Sequence, residues 1–436
     1  MVMNEKTFRL AWIGGLLTIA LASPIAAQDF EQEPIEYAKR QSHDRVARLA
    51  DDLQSGRVQL KHDDRLGYLP SLLAALDVPT SSQMLVFSKT SLQRHRITPR
   101  TPRAVYFNDD TYVGYCQDGD VLELSAVDDD LGAVFYTLGQ DAASPPKLIR
   151  QADDCLICHA SSATRHVPGH LVRSVYCDVA GLPILSSGSY RTDHKSPFKH
   201  RWGGWYVTGT HGDQLHLGNF IHRSHDNPER ADYSAGQNVT DLADFCDVKP
   251  YPTPHSDLVA LMVLEHQALV HNLITQANFG VRQALHYETM LNRDLGDSEV
   301  KRWESTTSRI KSVCEPLVEG LLFCEEAELT GPIRGTSKFA EEFAERGPHD
   351  RQGRSLREFE LSRRMFRYPC SYLIYSSSFC ALPSEAKQYV WRRLHEVLDG
   401  RDESGKFAYL SADDRRAIRE ILTETHAEFR AAAPSK

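Results

Sequence analysis

Residues 104–136, AVYFNDDTYVGYCQDGDVLELSAVDDDLGAVFY, decide the fold. Ala104-Val105-Tyr106-Phe107 is built from branched and aromatic side chains and runs into an Asn-Asp-Asp turn. Tyr112-Val113-Gly114-Tyr115 and Val121-Leu122-Glu123-Leu124 flank Asp118-Gly119, a hairpin signal. Ala133-Val134-Phe135-Tyr136 reads as another strand. On either side the pattern turns helical, so the expectation is an α+β chain. A mixed, β-rich region over 104–235 is flanked by a helical region over 28–103 and a helical region over 236–436.

Outward toward the N-terminus, Val46, Leu49 and Leu53 form one helical stripe, and Leu72, Leu73 and Leu76 another that ends at Pro79. Toward the C-terminus, Leu171–Val179, Ile184–Tyr190, and a hairpin of Trp205–Thr210 with Leu215–Ile221 continue the strand pattern. Ser256 suits the N-cap of a long helix reaching about Asn292. Ser384–Leu398 is a second helix, closed by Gly400. Ser411 opens a third helix to about Ala431, with Asp414 in the capping-box position.

Between the strands stands Cys155-Leu156-Ile157-Cys158-His159, a C-x-x-C-H string. Two cysteines three apart share one face of a helical turn, from which both thiols can reach the vinyl groups of one haem edge. His159 then lies about 100° further round, as proximal iron ligand. Asp153 and Asp154 suit the N-cap of that turn. The reading is one covalent haem c on Cys155, Cys158 and His159. A redox dithiol would not need His159. A zinc site would want a second C-x-x-C or an H-x₃₋₅-H pair; no second C-x-x-C exists, and H-x₃-H does occur at His166 and His170. Haem c is attached outside the cytoplasm, and the N-terminus suits export. Lys6 and Arg9 precede the thirteen-residue apolar run Leu10–Ala22, and small residues stand at Ala26 and Ala27. Residues 1–27 therefore read as a Sec-type signal peptide, and the product as periplasmic.

The sixth iron position has several candidates. Histidines crowd the stretch after the motif: His166, His170, His194, His200, His211, His216, His222 and His225. His216 alternates with Leu215 and Leu217 and shares a strand face with Phe220, which makes it the first choice for the distal side, before His170 and His211. On the long helix Glu265 and His266 interrupt apolar stripes, and Met262 lies one turn before His266. They are read either as buried structural pairs or as a catalytic base and distal group. Arg173, Arg191 and Arg201 suit haem propionates.

The chain has 436 residues, 50 basic against 59 acidic, and a formal charge of −9. That balance excludes nucleic-acid binding by charge. Beyond the leader no apolar run reads as a membrane span. The length exceeds what a simple haem carrier needs. Seven cysteines remain outside the motif, an odd number, so at least one is free. In unbroken helix Cys314 and Cys324 would stand about 15 Å apart, too far to bond, but a break at Pro316 would leave that pair open.

The strings CLICHASSATRHVPGHLVRSVY (155–176), RWGGWYVTGTHGDQLHLGN (201–219) and RYPCSYLIYS (367–376) resemble a family of large exported bacterial proteins with a single C-x-x-C-H, described as c-type cytochrome-like. The resemblance implies covalent haem and redox work outside the cytoplasm, and it supplies no substrate. The lack of a second C-x-x-C-H departs from the di-haem peroxidase pattern. The expected function is electron transfer to a redox partner protein. The alternative is a haem oxidoreductase acting on peroxide or a small anion at an open distal side. A haem with a purely structural role in a sensor or interaction module is the third.

Overall fold

A computed structural model describes residues 29–223, 231–296 and 301–433. The expected signal peptide and His225 lie outside these residues. The N-terminal region is less helical than its stripes suggest. Among its described residues the α-helices are α1 (Arg45–Gln54) and α2 (Leu69–Ala75), and the rest is turns, two short 3-10 segments and the first strand of the sheet. Asp44 caps α1 by accepting from the backbone N–H of Val46 and Ala47.

Six strands follow as one antiparallel meander in sequence order. They are β1 (Met84–Val86), β2 (Arg103–Phe107), β3 (Thr111–Tyr115), β4 (Val121–Asp128), β5 (Gly132–Gly139) and β6 (Leu148–Gln151). The hairpin about Asp118-Gly119 pairs Gly114 with Glu123, as the sequence indicates. Strand alternation gives the sheet two different faces. Tyr106, Val113, Leu124, Val134 and Leu138 point to the N-terminal layer, among Ile35, Val46 and Leu72. Phe107 and Tyr112 point the other way, into the core built on α4 (Leu258–Asp294).

The short α3 (Asp154–His159) follows the sheet directly, so the motif stands against β5 and β6. Beyond it the strand pattern mostly fails. Only β7 (Arg173–Val175) and β8 (Ser189–Arg191) pair, with Ser174 opposite Tyr190. The expected hairpin of 205–210 with 215–221 does not form. Instead β9 (Gly209–Thr210) pairs with a distant segment, β10 (Arg334–Gly335). The Asn219 side chain takes the partner's place: it accepts from Val207 N at 2.8 Å and donates to Val207 O at 2.8 Å. A side-chain amide thus satisfies backbone groups that a strand would otherwise pair.

α4 is capped by Asp257, one residue later than expected. Ser256 instead donates to Tyr206 O and accepts from Leu85 N, tying helix to sheet. By length and composition α4 would suit a membrane, but 94% of its apolar window is buried inside the protein. It runs through the middle of the larger core and packs on α5 (Glu304–Leu321), α6 (Phe339–Glu345), α7 (Ser377–Cys380) and α8 (Ser384–Leu398). Gly400 follows α8 with φ +73°, the left-handed stop its type favours. α9 (Ala412–Thr425) carries the capping box of Ser411 and Asp414, and α10 (Ala427–Ala431) follows after His426. All nine cysteines are free.

Candidate functional site

α3 is a single anchored turn. Leu156 is buried, whereas Ile157 is 74% exposed. Cys158 is exposed and Cys155 half-buried, neither in a disulfide. Asp153 occupies the N-cap position without capping through its side chain. Burial raises the Cys155 thiol to about 11, and Glu123 adds to the rise.

His159 is held twice by Gly169. Its Nδ1 donates to the Gly169 carbonyl at 2.9 Å, and its own carbonyl accepts from Gly169 N at 2.8 Å. A carbonyl only accepts, so the proton sits on Nδ1 and the Nε2 lone pair is left free. The ring rests on Phe135, centroids 4.8 Å apart, and burial lowers its pKa. The turn at Pro168-Gly169 folds back to the motif and brings a backbone carbonyl to His159. Gly169 is required there, because a Cβ would stand 2.2 Å from Asn272 Oδ1.

Asn272 of α4 secures the next residue. Its Oδ1 accepts from His170 N at 2.9 Å and its Nδ2 donates to His170 O at 2.8 Å. His170 Nε2 bonds Ser125 at 2.8 Å and its ring packs on Tyr112 at 4.1 Å. Burial holds its pKa well below the usual range. His170 Nδ1 is buried without a partner, and His170 and Thr192, whose hydroxyl is set against the Glu265 carboxyl, line a cavity of about 20 Å³, room for one water. His166 is exposed, and among the described residues no three His, Cys, Asp or Glu side chains converge on a metal-sized centre.

The other candidates lie elsewhere. His216 is not on a strand: it is buried at 1% exposure among Phe198, Trp202 and His211, and its Nδ1 accepts from Gly218 N. None of these neighbours belongs to the motif's surroundings. Met262 is core. Glu265 is sealed in an ion pair with Arg201 at 2.9 Å, so Arg201 is not available to a propionate. Burial pushes the Glu265 carboxyl up to about 7 against the pull of Arg201. His266 is engaged at both nitrogens, by His194 Nδ1 at 2.9 Å and Ser371 Oγ at 2.8 Å, and stacks on Phe323. Of the three arginines, Arg191 comes nearest the motif, donating to Ser162 O and Ala163 O just beyond α3. Arg173 donates to Ser189.

The sequence marks Gly169 only as part of a Pro-Gly loop able to turn back toward the motif, and it does not single out Phe135 or Asn272. Phe135 acts through packing and leaves no residue-type signal, and Asn272 is one polar residue among many on α4. A groove of about 730 Å³ beside α4 and α5, lined by Tyr287, Met290 and Arg309, carries none of these groups. Comparison with protein-family models, with curated proteins and with solved structures finds no match to this chain.

Proposed function

We propose that the protein is an exported mono-haem c-type cytochrome. Cys155 and Cys158 would hold the haem by thioethers and His159 Nε2 would bind its iron. One observation carries this reading: the Gly169 carbonyl fixes the tautomer of His159 with Nε2 free, on the same turn as two unpaired thiols. Metal-binding histidines are commonly held by such a bond from the other ring nitrogen. A redox dithiol would gain nothing from it.

Each thioether forms when a thiol S–H adds across a haem vinyl group, and the exposed Cys158 suits access by the attaching machinery. Bound there, haem supplies a one-electron iron couple. The chain's part is to orient His159 between Gly169 and Phe135 and to keep Asn272 and α4 rigid behind it. Exposure of Ile157 and Cys158 leaves the thioether edge at the surface, which favours electron exchange with a redox partner protein. The alternative, an oxidoreductase with an open distal side, gains support from one observation. His216, Met262 and His266 are all packed in the larger core, whereas Cys155 and Leu156 belong with the smaller one.

Haem staining after denaturing electrophoresis tests the proposal. Wild type should carry one covalent haem, and Cys155→Ala with Cys158→Ala should carry none. A stain-negative wild type, or zinc in place of iron in the purified protein, overturns it. N-terminal sequencing of the exported product should begin just after Ala27.

A further inference from the structure

His159 donates through Nδ1 toward the loop beside α4, so its Nε2 is directed away from that loop. The sheet face that carries Phe135, and with it the His159 ring, continues beyond Phe107 and Tyr112, which meet the α4 core. Cross-strand register sets Val105, Gly114, Glu123, Thr137 and Ile149 in one row on it. Phe135, which carries the His159 ring, is two residues from Thr137 on the same face.

Arg103 reaches across this half-face. Its guanidinium lies over Gly114, where a Cβ would stand 2.3 Å from Nη2. It pairs with Glu123 at 2.6 Å, with 22% and 14% of the two side chains exposed. Gln93 donates to Glu123 Oε1 at 3.2 Å and to Val121 O at 3.0 Å. Arg103 Nε is buried and has no partner. Glu123 is two residues from Ser125, which pairs with Phe135 under the His159 ring, and Arg103 is bound to Glu123, so both stand on the motif's side of the sheet. Leu92 and Ile149, each more than half exposed, stand at the rim.

We infer that this bay is the sixth-coordination side of the haem, where Arg103, fixed by Glu123 and Gln93, hydrogen-bonds a small anionic ligand on the iron while Leu92 and Ile149 lie against the porphyrin. The inference rests on haem attachment at Cys155, Cys158 and His159. A guanidinium has donors and no lone pair for iron, so Arg103 leaves the coordination position to an exchangeable ligand. A pair that is partly exposed and lacks one partner can turn a donor toward such a ligand, which the sealed Arg201–Glu265 pair cannot. The nearest imidazole along the bay's loop, His95, is 62% exposed and lies 3.8 Å from Asp120.

Optical titration of the ferric holoprotein with azide and with cyanide tests this. Wild type should bind both. Arg103→Leu should weaken azide about tenfold or more, the scale of one lost charge-assisted hydrogen bond. Arg103→Lys should recover part of the affinity, and His216→Ala should bind as wild type. Gln93→Leu, outside the sheet, should weaken azide less and serves if Arg103→Leu does not fold. A haem-bearing wild type that binds neither anion overturns the inference. So does unchanged azide affinity in Arg103→Leu and Gln93→Leu, or a low-spin iron that His95→Ala or His216→Ala turns high-spin. A wild type without covalent haem fails at the staining step instead, and overturns the proposed function itself.

Discussion

The turn at Cys155–His159, with the sheet beside it, and the middle of α4 hold the same kinds of residue in different arrangements. In both, a histidine and an Arg–Glu pair stand together. On α4, Glu265 and Arg201 are sealed at 0% and 2% exposure and both nitrogens of His266 are engaged. At the motif, His159 keeps Nε2 free, the thiols are unpaired, and Arg103–Glu123 is half open. Residue type is shared by the two places; what differs is which lone pairs, thiols and charges are already engaged.

The sharpest way to break this comparison is to remove one member of the sealed pair. At pH 8, above the value to which burial raises Glu265, Arg201→Leu takes the partner from a buried carboxylate, a loss of about 3–5 kcal/mol. Urea unfolding should show it as a lower midpoint with an unchanged slope. Any folded fraction should keep the wild-type haem spectrum, because Arg201 does not touch the motif. A changed spectrum at wild-type stability would reverse the roles of the two regions.

The motif should respond in the opposite sense. Gly169→Ala drives a methyl into the Asn272 amide that holds His170. Crowding of this kind costs about 1–3 kcal/mol. The larger signal should be optical and electrochemical, since Gly169 O orients His159. A Gly169→Ala protein with the wild-type spectrum and midpoint potential would show that the carbonyl does not set the ring.

These two regions also show where the sequence was readable. The strands over 104–136 were legible because each strand face meets a layer and the alternation survives. The helices from Ser384 and Ser411 were legible through their caps. The stretch 171–221 was not, because Asn219 and Ser256 satisfy its backbone through side chains, while the apolar alternation there persists without a strand partner. That persistence placed His216 on a strand face it does not occupy. Cys155, Cys158 and His159 stood out by spacing, but Gly169 acts through a carbonyl that every residue has. Arg103, Gly114 and Glu123 come together only through strand register, which no single stretch displays.

The smallest expected effect separates the two regions by pH. Burial raises Glu265 from 4.5 to about 7. Between those values the native state keeps a proton that the unfolded chain has lost. Its stabilising contribution is therefore full below about 4.5 and lost as pH rises toward 7. His194, lowered from 6.5 to about 3, and His271, lowered to about 4, act the other way. The unfolded chain takes up their protons below about 6.5 while the native rings stay neutral, so their contribution holds above 6.5 and is lost as pH falls. His170, His216 and His266 are lowered in the same direction. The lowered histidines outnumber the two carboxyls raised to about 7, Glu265 and Glu326, so stability should fall on acidification from pH 7, with these two carboxyls softening the fall. Glu265→Gln removes its share of the softening, and its urea midpoint should drop more steeply than wild type between about pH 7 and 5. An equal or shallower slope in Glu265→Gln would mean that Arg201 keeps Glu265 ionised across this range, and that the sealed pair is electrostatically silent.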